Sequence, residues 1–169
     1  MTRTRDVATQ GGLVLLNNTS FSAVSSVSIS NVFDSTYSNY RIAISLITSS
    51  ANQTISFRCR ENATDKATDY LGGTFTVSYL AATAATGTNA GTAFLIATNM
   101  NTDNPSIATL DIYRTATKCT YSSIGWNGQA ATANFQAGQQ VNMTNFTGFS
   151  FFPSNTGTMT GSVKVYGYK

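Results

Sequence analysis

Alternation of apolar and polar positions dominates the chain. In YRIAISLIT, Tyr40 to Thr48, one face collects Tyr40, Ile42, Ile44 and Leu46 while the other carries Arg41, Ala43 and Ser45, the period of a half-buried strand. The same pattern turns Ile55, Phe57 and Cys59 inward in Thr54 to Arg60, and Ala108, Leu110 and Ile112 inward in Ala108 to Tyr113. It also predicts Phe75, Val77 and Tyr79 as the inward face of Thr74 to Leu80. Leu13 to Leu16, Val24 to Val32, Ala93 to Ala97, Lys118 to Gly125, Phe149 to Phe152 and Gly161 to Tyr168 read as further strands. Helical spacing is not sustained over three turns anywhere, and β-branched and aromatic residues fill the strand segments. The pattern predicts an all-β fold of about eight to ten short strands, an antiparallel two-sheet β-sandwich that is jelly-roll-like, with a barrel as the alternative.

Between the strands, three connections are expected to be long: ENATDKATDYLGG from Glu61 to Gly73, AATAATGTNAGT from Ala81 to Thr92, and Gly125 to Gln140, which holds the only tryptophan. Loops at the ends of a sandwich are where binding usually sits. The opening MTRTRDVATQGG has no strand pattern before Leu13. Residues 1–12 are therefore expected to form an extended N-terminal arm hinged at Gly11-Gly12, and residues 13–169 a single domain. At the other end, GSVKVYGYK turns Val163, Val165 and Gly167 one way and Lys164, Tyr166 and Tyr168 the other. If the valines face the core, Tyr166 and Tyr168 form an amphipathic strip suited to a subunit interface.

Composition changes the picture at the surface. Charged residues are only 10% of the 169, against about 25% in ordinary globular chains. None occurs between Lys118 and Lys164 or between Asp69 and Asp103. Long neutral stretches fit a surface covered by other subunits or meeting neutral ligands such as glycans, and they also fit a plain Thr-rich surface. The net charge of +3 is scattered rather than clustered with aromatics, so nucleic acid is not an expected partner. Membrane insertion is not expected either, because no apolar run approaches a transmembrane length. The N-terminus also lacks the apolar core of a signal peptide, so synthesis in a cytoplasm is expected.

Candidate chemistry is sparse. The absence of histidine removes the usual general base and the middle member of a Ser-His-Asp triad, and with one Glu and six Asp no enzyme is expected. Asp111 stands opposite the inward face of its strand, where Arg58 or Arg60 is a candidate partner. Glu61, Asp65 and Asp69 are spaced four apart, but Lys66 sits among them and a solvated loop accounts for them better than calcium. No metal and no cofactor are expected. Cys59 and Cys119 are too far apart in sequence for a metal motif. Buried free thiols or a disulfide between adjacent strands are the two readings. Phe146, Phe149, Phe151 and Phe152 read mainly as core. Trp126, in WNGQAATANF, is a candidate glycan platform beside the amides Asn127 and Gln129, or else a lid over one end of the core.

Three stretches, RDVATQGGLVLLNNTSFSAVSSVSI, NVFDSTYSNYRI and GSVKVYGYK, in that order and spanning both ends of the chain, resemble small virion structural proteins of tailed bacteriophages, notably cyanophages. The tail-fibre, appendage and decoration domains of such phages are similar. The resemblance implies a β-sandwich subunit without enzymatic activity, often trimeric, located on the virion and contacting other capsid or tail proteins. It supplies no catalytic or ligand residue. In that setting Arg3 and Arg5 are the candidate docking residues of the arm, pairing with acids on a partner. The leading expectation is a virion structural subunit, by capsid decoration or as a tail fibre component. The alternative is a receptor-binding module recognising a host surface glycan.

Overall fold

The computed structural model describes residues 12–49, 53–78, 81–100, 102, 105–114, 118–127, 132–142 and 145–169. Thirteen strands follow in order: β1 Leu13–Val24, β2 Val27–Ile29, β3 Asn39–Thr48, β4 Gln53–Glu61, β5 Thr64–Asp65, β6 Tyr70–Ser78, β7 Ala81–Gly91, β8 Phe94–Met100, β9 Ser106–Arg114, β10 Cys119–Asn127, β11 Thr132–Gln140, β12 Gly148–Pro153 and β13 Met159–Tyr168. They build two antiparallel sheets packed as a β-sandwich. The larger has eight strands in the order β1-β13-β3-β9-β10-β11-β6-β7, and the smaller is β2-β12-β4-β5 with β8 pairing β4. The chain crosses between sheets repeatedly, so strands distant in sequence share one core.

That core follows from the alternation. Tyr40, Ile42, Ile44 and Leu46 of β3, Ile55, Phe57 and Cys59 of β4, and Ala108, Leu110 and Ile112 of β9 are all buried. Phe149 and Phe151 stack beside Phe57 and Phe33, and Phe146 closes the same cluster. Phe152 points the other way, under the guanidinium of Arg58 at 4.8 Å. Cys59 and Cys119 are buried and free, on β4 and β10 of opposite sheets rather than on adjacent strands. Burial, with Cys119 close by, pushes the Cys59 thiol well up.

Two expected loops are strands. Ala81 to Thr92 supplies β7, and Gly125 to Gln140 contributes the end of β10 and all of β11. Small residues and threonine tolerate the pleat, and pairing against β6 overrides weak local propensity. Glu61 to Gly73 is shorter as a loop than expected, because Asn62 and Ala63, both at positive φ, turn β4 back onto β5.

A third difference changes the polarity of the molecule. Phe75 and Val77 point away from the core, while Thr74 and Thr76 face the sandwich interior; Tyr79 lies outside the described residues. Tyr70 sets this phase. Its buried ring places its hydroxyl to accept from the Cys59 N–H at 2.9 Å and donate to the Lys66 carbonyl at 2.8 Å. With Tyr70 inward, every second residue after it is inward, and a one-residue slip would be needed to bury Phe75. Tyr121 packs into the same corner, where a Cβ on Gly138 would fall 2.7 Å from its ring.

Candidate functional site

On the outer face of the large sheet, the cross-strand register lines side chains into rows. Phe75 of β6 lies opposite Phe135 of β11, which lies opposite Ile124 of β10 and then Thr109 of β9. In the next row Val77 leads through Ala133 and Trp126 to Ile107. Phe75, Val77, Ile107, Ile124, Trp126 and Phe135 are between 38% and 59% exposed. Six large apolar side chains in two adjoining rows form a continuous patch rather than scattered exceptions.

The opposite face of the same strands is polar. Asn134 and Gln136 of β11 and Ser123 of β10 are buried toward the interior. Gln136, only 4% exposed, has neither end of its amide paired among the described residues. Over residues 74–77, 123–126 and 133–136, then, β6, β10 and β11 carry their large apolar side chains outward and polar ones inward, the reverse of β3, β9 and β13, whereas Tyr70 and Tyr121 at the other ends of β6 and β10 still face the core. Such a phase is expensive for an isolated domain, since apolar groups gain from burial and an unpaired buried amide is penalised. It is the normal arrangement for a strand whose apolar face has a second partner.

Ile124 forms a ridge between two grooves. On its β6 side Gly73, Phe75, Phe135 and Ala137 line a shallow apolar groove of about 550 Å³. On its β3 side Arg41, Thr109, Asp111, Ser122, Ile107 and Trp126 surround a more polar groove of about 340 Å³.

In the second groove Asp111 pairs with Arg41, its neighbour across β9 and β3, not with Arg58 or Arg60. Arg60 is taken by Asp65, and the cross-sheet geometry puts both of those arginines on the other sheet. The Arg41–Asp111 contact is bidentate: Nε donates to Oδ1 and Nη2 to Oδ2, each at 2.8 Å. The Tyr168 hydroxyl adds a third bond to Oδ1 at 2.7 Å, and the guanidinium lies 5.7 Å from the Tyr168 ring centre. The Arg41 hydrogen bonds, then that of Tyr168, hold the Asp111 carboxyl below the usual carboxylate range. Burial and the hydrogen bond to Asp111 push the Tyr168 hydroxyl up to about 12, and the Asp111 contact raises Arg41 further above its ordinary value.

Trp126 stands on a strand rather than in a loop, with its ring half-exposed on the outer face. Asn127 closes β10 opposite Thr132, and Gln129 lies outside the described residues. Arg3 and Arg5 lie outside them as well. Val163, Val165 and Gly167 are buried as expected; Tyr166 and Tyr168 are half-buried, and Tyr168 is bound within its own chain. Trp126 stands out in the sequence as the sole tryptophan of an expected loop, but Arg41, Thr109 and Ser122 line a groove with it only through the pairing of three strands. Among the described residues no group of three or more His, Cys, Asp or Glu side chains could hold a metal ion, and no helix is long and apolar enough to cross a membrane. In comparison with known proteins, no family model matches the chain and no curated protein does.

Proposed function

We propose that the chain is a bacteriophage virion structural subunit, a capsid decoration or tail fibre component. It assembles as a homotrimer through the apolar end of its large sheet and docks on other virion proteins through residues 1–12. The observation that carries this reading is the local reversal of polarity where β6, β10 and β11 run side by side, which turns Phe75, Val77, Ile124 and Phe135 outward over buried Asn134 and Gln136. Fully burying a large apolar side chain is worth about 1.5–3 kcal/mol. Covering the exposed parts of four on each facing subunit therefore supplies a substantial share of a binding free energy. The uncharged run between Lys118 and Lys164, which includes all of β10 and β11, leaves nothing in that segment for like charges to repel. The resemblance at both ends of the chain supplies the virion setting, and no catalytic step is part of the role.

Light scattering on the purified protein tests the assembly. A mass near three times that of the 17.9 kDa chain is expected, and Phe135→Asp is expected to shift it to monomer with little change in melting temperature. A wild-type protein that stays monomeric at high concentration overturns the reading.

A further inference from the structure

Beyond assembly, the polar groove on the β3 side of Ile124 has the composition of a ligand site. We infer that it binds a short neutral saccharide, one ring stacked on Trp126 beside the Thr109 hydroxyl and the adjoining ring hydrogen-bonded by Asp111, Arg41 and the Ser122 hydroxyl. A sugar ring is amphipathic: its C–H face needs a flat apolar platform and its rim needs planar polar groups at fixed angles. Trp126 and Ile107 are opposite one another on β10 and β9 and supply the apolar floor, half-exposed in both cases. Ser122 and Asp111 face each other four residues along the same strand pair, beyond the Ile124–Thr109 row, and Arg41 continues their row onto β3.

Three features select the ligand class. First, the Arg41–Asp111 pair is internally neutralised, so neither an anion nor a cation meets an unbalanced charge. Second, the polar groups are already held: Asp111 is fixed by three hydrogen bonds, and Arg41 keeps Nη1 outside the pair. Groups immobilised before the ligand arrives lose little entropy on binding. Third, the groove, at about 340 Å³, is at the small end of the range for small-molecule sites and suits a short saccharide rather than a long chain. The groove adjoins the assembly patch at Ile124, which lines both, so the test below separates sugar binding from assembly with a substitution on the Phe135 side.

The sole tryptophan makes the test direct, because fluorescence excited selectively at tryptophan, and not at the eight tyrosines, reports the surroundings of Trp126. The probes are neutral oligosaccharides built from glucose, galactose, mannose, rhamnose or N-acetylglucosamine, with sialylated and sulfated sugars as the charged comparison. A saturable shift in Trp126 emission with at least one neutral probe is expected, matched by calorimetry. Trp126→Ala, read by calorimetry, is expected to weaken that binding at least tenfold, and Asp111→Asn several-fold, with both variants shown to be folded by circular dichroism. Phe135→Asp is expected to lose assembly yet keep the sugar. No saturable response to any neutral probe, binding confined to charged sugars, or full affinity in folded Trp126→Ala each overturns the inference.

Discussion

At the scale of single residues, the Asp111 cluster carries the clearest prediction. Asp111 titrates below its ordinary value in the folded chain because Arg41 and Tyr168 bond its charged form. Its contribution is thus complete above about pH 4, the unfolded carboxylate value, and is lost as pH falls through the depressed one. Tyr168 runs the opposite way: its raised value favours the neutral hydroxyl, so that contribution holds below about pH 10 and fades as pH rises through about 12. Arg41 is 40% exposed, and solvent screening brings the value of the pair toward that of a surface ion pair, about 1 kcal/mol. Asp111→Asn is therefore expected to lower the melting temperature by about 2–4 °C at neutral pH. The gap from wild type should be flat from about pH 5 to 9 and should close in acid. A gap that persists unchanged at about pH 2 would show that packing, not charge, is what Asp111 supplies. The sequence marked Asp111 as an outward acid on a strand and Trp126 as an exposed ring. It did not join them, because Trp126 reads as part of a loop, and the groove needs both the β9–β10 register and Arg41 from β3, more than eighty residues before Trp126.

At the scale of elements, β13 shows how a strand can be specified by what it lacks. Gly167 sits between Tyr166 and Tyr168 with no side chain, and a Cβ there would fall 2.6 Å from the ring of Tyr37. The ring belongs to the turn before β3 and packs edge-on to Tyr40 at 6.1 Å. Gly167→Ala must push it aside, so a loss of about 1–3 kcal/mol is expected in urea unfolding. A neutral effect would mean that the Tyr37 turn yields freely. The inward glycine was legible from alternation, as were β3, β4, β9 and β13, whose polar and apolar faces agree with a one-sided core. Phe75 and Val77 were misplaced for a physical reason. Alternation reveals which residues share a face but not which face is inward, and that choice was made by Tyr70 through the backbone of Cys59 and Lys66. Likewise AATAATGTNAG carries little strand propensity of its own; it is a strand because β6 offers it a ladder.

At the scale of the whole molecule, assembly and attachment fall at different places. The proposed trimer contact lies on β10, β11 and β6, while the chain enters the fold at the far edge of the same sheet. There Leu13 pairs with Tyr168, and the Gly12 carbonyl accepts from the Lys169 N–H at 3.1 Å. The ladder that defines β1 runs from Leu13 to Val24. Removing Met1 to Gln10 is therefore expected to leave both the melting temperature and the trimer mass unchanged. If Arg3 and Arg5 pair with acids on a neighbouring virion protein, the truncated trimer should fail to bind particles that lack their own copy of the subunit, and binding by the intact trimer should weaken with added salt. Arg3→Ala with Arg5→Ala should reproduce much of that loss without shortening the chain. Truncated protein that decorates particles at full occupancy would transfer the docking role from the arm to the sandwich itself. A truncation that dissolves the trimer would instead place residues 1–10 in the subunit contact.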